Sequence, residues 1–282
     1  FTTTELVLLL NAHKKLEYDR LDNMHLLLDL LCRRSDDWTE FDVSLAANAV
    51  SYYYIHKPRF WALLARKLPK LVWKMSPLNL SNVVSSLARV DRRDRRQLAL
   101  LARLCRKCAL GNLFGQETLS TTVNSFAKLD FNHSRLSKAF EDAILVKLNQ
   151  ALELGPTYRA SSLSEDVFDV QSLSRLLFVL VCLVGASDEV VTKLLTLITW
   201  SRGEVSQHQL RVLRTMSLVL QKQRPDLCGS LDRDVRDTLI HFSKASVNLT
   251  HIESRWGREL RHTLTAMKMT VELKPVVDPQ VC

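Results

Sequence analysis

The chain has 282 residues, 46% of them hydrophobic and 24% charged, with a formal net charge of +9 at pH 7. This composition is typical of a folded globular protein and excludes a disordered or low-complexity chain. The longest apolar run, Leu176 to Ala186, is shorter than the roughly 18 residues that a membrane-spanning helix needs, so no membrane insertion is expected.

Glycine and proline are scarce, with seven of each, while leucine, alanine, arginine and lysine are abundant. Long helices joined by short turns fit this balance better than strands do. The six cysteines are sparse for this length and fall mostly in apolar helical stretches, which indicates reduced thiols and not a disulfide scaffold. The sequence therefore predicts an all-α protein.

A short pattern recurs along the chain, in which a large apolar residue is followed five positions later by the start of an apolar stretch of helical period. Its second position is polar or small in the first four matches, and the last two matches are degenerate. These second positions are Asn11, Asn48, Ser85, Asn124, Phe178 and Thr215. Their spacings are 37, 37, 39, 54 and 37 residues. This period predicts a right-handed alpha solenoid of about seven helix-hairpin repeats of roughly 37 residues.

The longer spacing predicts an inserted loop at about 154–167, a stretch that contains Gly155 and Pro156. Other helix breaks are expected at Pro58, Pro77, Gly111, Gly185 and Pro225. The solenoid domain is expected to cover residues 1–270 and to end in a shorter seventh unit near Leu249 to Met269. Residues 271–282 are expected to form an extended tail.

The fourth unit carries a motif, Phe114-Gly-Gln116-Glu-Thr-Leu119 followed by Asn124-Ser-Phe-Ala-Lys-Leu-Asp130. The third unit repeats its second half as Ser85-Ser-Leu-Ala-Arg-Val-Asp91, and Phe168-Asp-Val-Gln171 repeats its opening with a shift of one residue. These segments resemble the helical repeats of RAP-domain and FASTK-like organellar proteins and the related octotricopeptide repeats.

The resemblance implies a mitochondrial RNA-binding protein that acts on organellar transcripts or ribosomal RNA, or that belongs to a divergent mitochondrial ribosome. Proteins of this family often end in a RAP domain. Val271-Glu272-Leu273 and Val276-Val277-Asp278 would be the start of such a domain, and the rest of it is missing from this sequence.

Basic residues are concentrated between Lys57 and Lys107, where fourteen lysines and arginines face only two acidic residues, Asp91 and Asp94. The rest of the chain carries a small negative charge. A local positive field suits the phosphate backbone of a nucleic acid, because neutralising phosphates releases condensed counterions. A solvated helix face, an acidic protein or an anionic membrane surface would also explain the cluster.

On the first helix of each repeat, the aligned position and the residue four later share one face. In repeats one to four these pairs combine a polar residue with a cation or an aromatic residue, which suits unpaired bases and phosphates, although an ordinary solvated stripe has the same pattern. Repeats five and six lack such pairs and are expected to contact protein. Together with the basic segment, the predicted RNA-binding residues are Asn11, Lys15, Asn48, Tyr52, Ser85, Arg89, Arg92, Arg93, Arg95, Arg96, Arg103, Arg106, Lys107, Asn124 and Lys128.

No catalytic constellation, phosphate-binding glycine loop or cofactor motif occurs in the sequence. Cys105 and Cys108 have the spacing of zinc ligands, but no second pair stands at a suitable distance, so no metal or other cofactor is expected. An RNA-binding protein that is not an enzyme is the favoured interpretation. The alternatives are a protein-binding scaffold of the armadillo or HEAT type, within a large organellar complex, and an enzyme whose active domain follows Cys282.

Overall fold

The computed structural model of the protein describes residues 1–18, 20–131, 133–155, 168–181 and 185–245. Over these ranges it contains thirteen α-helices, joined by turns and short 3-10 segments, and no strand. The helices are α1 (Thr3–Lys15), α2 (Leu21–Arg33), α3 (Glu40–Tyr52), α4 (Pro58–Leu71), α5 (Pro77–Arg89), α6 (Arg95–Leu110), α7 (Gln116–Lys128), α8 (Ser134–Glu153), α9 (Val170–Val179), α10 (Asp188–Trp200), α11 (Gln207–Gln223), α12 (Pro225–Ser230) and α13 (Arg233–Lys244). None of the described helices is long and apolar enough to span a bilayer.

The helices pack in two rows that follow chain order. Helices α1, α3, α5, α7, α9 and α11 lie side by side in one row, here called the inner row. Helices α2, α4, α6, α8 and α10 form the outer row, and α12 and α13 together complete the sixth hairpin. The predicted all-α solenoid is confirmed. The seventh unit, the tail at 271–282 and most of the inserted loop lie outside the described residues.

The repeat period is set by the residues that cap the inner-row helices. These N-caps are Thr2, Thr39, Ser76, Gly115, Asp169 and Ser206. Their spacings are 37, 37, 39, 54 and 37 residues, which are the spacings of the sequence pattern. Every cap except Gly115 accepts a hydrogen bond from the backbone of the first turn, which satisfies a donor that the helix itself leaves unpaired. The register read from the sequence is therefore confirmed.

The insertion in the fourth repeat is partly helical. Helix α8 has 20 residues, whereas α2, α4 and α6 have 13, 14 and 16. Some of the extra residues therefore lengthen the outer-row helix, and Leu154 is its C-cap. The predicted loop thus begins where α8 ends, and residues 156–167 of it lie outside the described ranges.

The first four inner-row helices end in the same way. In each of them the second residue after the helix has a left-handed backbone: Glu17, Tyr54, Asp91 and Asp130, with φ of 50° to 53°. The outer-row helix α6 ends in the same way at Asn112, with φ of 49°. The next residue then donates its N–H to a carbonyl five positions back, as Ile55 does to Val50 at 3.1 Å. This pattern is the Schellman motif, and it reverses the chain into the outer-row helix.

The hydrophobic core lies between the inner and outer rows and between neighbouring helices of the inner row. The leading apolar position of the sequence pattern is buried in repeats one to five, at Leu6, Val43, Leu80, Leu119 and Leu173. One position further on, each inner-row helix from α3 to α9 buries a serine, at Ser44, Ser81, Ser120 and Ser174. Small side chains at these positions let neighbouring helices approach closely.

Replacement of Tyr54 by glycine should stabilise the fold, because a side chain with a Cβ is strained in the left-handed region and glycine is not. Tyr54 is 52% exposed, so little packing is lost. We expect Tyr54→Gly to raise the free energy of unfolding by about 0.5–1 kcal/mol in urea titrations. The control Ala99→Gly, at an exposed position inside α6, should lower it by about 1 kcal/mol. Equal losses in both variants would contradict this account.

Candidate nucleic-acid interface

The inner row carries a groove of about 660 Å³, lined by side chains from α1, α3, α5, α7, α9 and α11. Six successive helices of one row can line one cavity only if their shared surface is concave. The groove therefore crosses the repeats, and α5, α7 and α9 contribute most of its lining.

Four cations line this groove: Lys14 of α1, Arg89 of α5, Lys128 of α7 and Arg175 of α9. The only carboxylate among its described lining residues is Glu117. None of the four cations is paired with a carboxylate within the part of the chain that the structure describes. Unpaired positive charges in a concave wall focus a positive potential into the groove.

Two of these cations also connect neighbouring helices through neutral groups. Arg89 donates from Nη1 to Oδ1 of Asn48 at 2.7 Å and to Oγ of Ser51 at 3.2 Å, which links α5 to α3. Arg175 donates from Nη1 to Oγ1 of Thr121 at 3.0 Å, which links α9 to α7. Because a guanidinium has five N–H donors, these contacts orient both side chains and leave further donors for a ligand.

The cations are close enough to repel one another. Partial burial lowers the pKa of Lys14, and the neighbouring Arg89 and Lys15 lower it further. Partial burial likewise lowers the pKa of Lys128, with added repulsion from Arg175 and Arg89. The pKa of Arg89 is also lowered by its partial burial, although Tyr54 and Tyr52 act in the opposite direction. These cations therefore repel one another, and an anion placed among them would lower that repulsion.

Between the cations most of the groove wall is uncharged, and polar side chains lie among apolar ones such as Leu78 and Val212. Ser81, Thr118, Thr121, Ser125 and Ser174 line it between the cations. Two of these hydroxyls donate to a backbone carbonyl of their own helix, Ser125 to Thr121 at 2.6 Å and Ser174 to Val170 at 2.7 Å. The wall thus presents hydroxyl oxygens and amides beside fixed positive charge, which is an environment for phosphates and polar ring edges.

The paired column predicted from the sequence lies partly in this groove. Asn48, Ser85, Arg89, Asn124 and Lys128 all line it, so the two positions do share one face. Asn48 and Ser85 are buried, however, and their polar atoms are bonded within the protein. Asn48 contacts Arg89 and Asn82, and Ser85 donates to the carbonyl of Asn82 at 3.1 Å. Of the three polar residues, Asn124 alone is left half-buried at the groove.

The first pair and Tyr52 lie outside the groove lining. Asn11 is half-buried on α1 and Lys15 is exposed at its end, whereas the adjacent Lys14 faces the groove. The Tyr52 ring lies 5.8 Å from the Lys14 ammonium and packs edge-on against Tyr53 at 5.1 Å. Its hydroxyl donates to Oε1 of Glu17 at 3.3 Å. Tyr52 therefore supports the contact between α1 and α3.

The remaining predicted basic residues lie on other surfaces. Arg92 and Arg93 lie in the turn after α5, and the others belong to α6. None of these seven predicted residues lines the groove: Arg92, Arg93, Arg95, Arg96, Arg103, Arg106 and Lys107. The Arg92 guanidinium lies over the Trp61 ring at 5.1 Å, and Arg93 pairs with Asp91 at 2.7 Å. The basic segment is thus split between the groove, a turn and the outer row.

Sequence reasoning missed Lys14, Arg175 and Phe178 as groove residues. Lys14 precedes the predicted Lys15, and Arg175 lies one turn before the aligned position of repeat five, on the same face of α9. A helical-wheel comparison at three-residue offsets would have found Arg175. The expected division between RNA-binding repeats one to four and protein-binding repeats five and six is not visible in the groove, which continues to His208 and Val212 of α11.

The two cysteines with zinc-ligand spacing are packed into α6. Cys105 is fully buried, and burial raises the pKa of both the Cys105 and Cys108 thiols, so neither is set up as a thiolate ligand. Within the described ranges, no group of three histidine, cysteine, aspartate or glutamate side chains is placed to hold a metal ion.

The fold and the groove together define the class of protein: an α solenoid of helix hairpins whose inner row forms a positively charged groove. The sequence matches no protein-family model and none of the curated proteins.

Neutralising Lys128 should stabilise the free protein, because the change removes its repulsion with Arg175 and Arg89. We expect Lys128→Met to raise the free energy of unfolding in urea by about 0.2–1 kcal/mol at low salt, with a smaller gain at high salt, where charges are screened. The control is Lys107→Met on the exposed face of α6, which should change stability less and without the same salt dependence. A loss of stability in Lys128→Met would contradict repulsion in the groove.

Proposed function

We propose that this protein binds single-stranded RNA along the inner-row groove and acts by docking. The observation that carries the proposal is the line of four cations, Lys14, Arg89, Lys128 and Arg175, none of them neutralised by a carboxylate in the described structure. A chain of phosphates is a ligand that offers negative charges at regular intervals to such a line.

The size and walls of the groove support a single strand over a duplex. Its volume of about 660 Å³ is within the range of cavities that hold small ligands, which suits a few nucleotides of one strand. Unpaired bases also offer polar edges to groove residues such as Asn124 and Gln171. A duplex would keep those edges paired.

The kind of RNA and its cellular compartment are inferred from the repeat motif and not from the groove. Because the third and fourth units resemble repeats of RAP-domain and FASTK-like proteins, we propose a mitochondrial RNA as the ligand, with ribosomal RNA as the first candidate. Ultraviolet crosslinking of the endogenous protein, followed by sequencing of the bound RNA, should enrich mitochondrial transcripts over cytosolic ones. Equal recovery of both would contradict the mitochondrial assignment and leave groove binding untouched.

A protein-binding scaffold is the second candidate, and one observation favours it. Large apolar side chains are exposed where outer-row helices connect to the next inner-row helix, with Trp73 59%, Leu110 62% and Leu113 62% exposed. Exposed apolar residues gathered at one edge suit a protein partner. None of these three side chains lines the groove, so a protein contact there is compatible with RNA in the groove.

The groove assignment is tested with two variants of equal charge change. The groove variant combines Lys14→Gln, Lys128→Gln and Arg175→Gln, and the outer-row variant combines Arg103→Gln, Arg106→Gln and Lys107→Gln. For contacts to about four phosphates of a single strand, log affinity should fall with log salt at a slope of about −3 in the wild type and about −1 in the groove variant. Fluorescence anisotropy with a labelled oligoribonucleotide measures both.

The outer-row variant should keep an affinity and a slope close to those of the wild type. A third variant with glutamate at Arg92, Arg93, Arg95 and Arg96 tests the turn cluster in the same titration. If the groove variant binds like the wild type and either of the others loses binding, the RNA lies on the turn or outer row and the groove assignment is wrong. If the wild type itself fails to bind at low salt, the RNA proposal is wrong and the scaffold candidate takes its place.

A further inference from the structure

Two rings occur among the described lining residues of the groove, the phenyl ring of Phe178 on α9 and the imidazole of His208 on α11, and the Phe178 ring is the wholly apolar one. Phe178 occupies the aligned position of repeat five, where the earlier repeats place Asn48, Ser85 and Asn124. Its side chain is half-buried: one side packs against the core, and the residue also borders the groove. A ring in this position adds apolar surface to a cavity that the groove cations also line.

Two cations and two residues of α11 line the groove together with Phe178. Arg175 lies three residues earlier on the same helix face, and Lys128 lines the groove from the neighbouring α7. On the other side, α11 contributes His208 and Val212 to the same cavity. Phosphates that are held by Lys128 and Arg175 would therefore bring their attached bases to the Phe178 end of the groove.

We propose that Phe178 is a stacking platform for an unpaired nucleobase, so that the fifth-repeat end of the groove recognises the base while the cations recognise the backbone. This inference depends on the proposed function, because it names what that same groove takes besides phosphate. Stacking on an aromatic face is tolerant of base identity, since every base has a π face. The groove then distinguishes a single-stranded nucleic acid from polyanions that lack bases, without selecting one sequence.

The test compares three probes on the full chain: a fluorescent single-stranded oligoribonucleotide, the same backbone with abasic sites, and an inorganic polyphosphate of similar charge. The wild type should bind the base-bearing RNA at least about fivefold more tightly than the abasic strand, which is the lower end of what one stacked base contributes. Phe178→Leu should lose that preference and keep its affinity for polyphosphate. Phe178→Tyr keeps a ring and should retain the preference.

Trp73→Leu serves as the matched control, because it removes an aromatic ring that is 59% exposed outside the groove. It should bind all three probes like the wild type, and thermal unfolding should show that every variant is folded. If Phe178→Leu binds RNA as tightly as the wild type, the stacking inference is wrong and RNA binding in the groove stands. If the wild type binds RNA, the abasic strand and polyphosphate equally, the groove reads charge alone, which also overturns the inference. If it binds none of them, the proposed function fails first.

Discussion

The groove exists because the inner-row helices pack directly against one another. The buried serines at one aligned position, Ser44, Ser81, Ser120 and Ser174, keep the backbones of neighbouring helices close. Their hydroxyls are satisfied within or between helices, as Ser44 is by Phe41 and Asn79, and Ser120 by Ser172 at 3.2 Å. Larger side chains at these positions would separate the helices and open the concave surface. The spacing of the groove cations is therefore a consequence of core packing.

The same packing explains why the groove cations remain without carboxylate partners. A cation on an isolated helix surface is easily neutralised by an acidic residue one turn away, as Lys193 is by Glu189 on the outer-row helix α10. In the inner row the partners come from the neighbouring helix and are neutral: Asn48 and Ser51 orient Arg89, and Thr121 orients Arg175, without cancelling their charge. Partial burial, together with repulsion from the neighbouring cations, lowers the pKa of Lys14 and of Lys128. Such uncompensated charge is typical of a surface that binds a partner.

The repeat register could be read from sequence, because capping residues and buried leucines recur at the same helical positions and their spacing survives the insertion. The site was harder to read for two physical reasons. The depth of a polar residue is not encoded by its identity, so Asn48 and Ser85 gave no sign that they are buried and bonded within the protein. The direction in which a helical side chain points changes by about 100° from one residue to the next. The sequence pattern therefore predicted Lys15 as a site residue, whereas the adjacent Lys14 is the one that lines the groove.

Linear clustering of charge was a weaker guide to the site than the repeat. Of the four groove cations, only Arg89 belongs to the basic segment between Lys57 and Lys107, and the other three come from the first, fourth and fifth repeats. In a solenoid, residues a few positions apart alternate between the inner row, the turn and the outer row, whereas residues a whole period apart share a face. Charge that is dense along the chain is consequently dispersed in space, and charge that is sparse along the chain gathers in the groove. The surface that a partner meets is thus determined by the period.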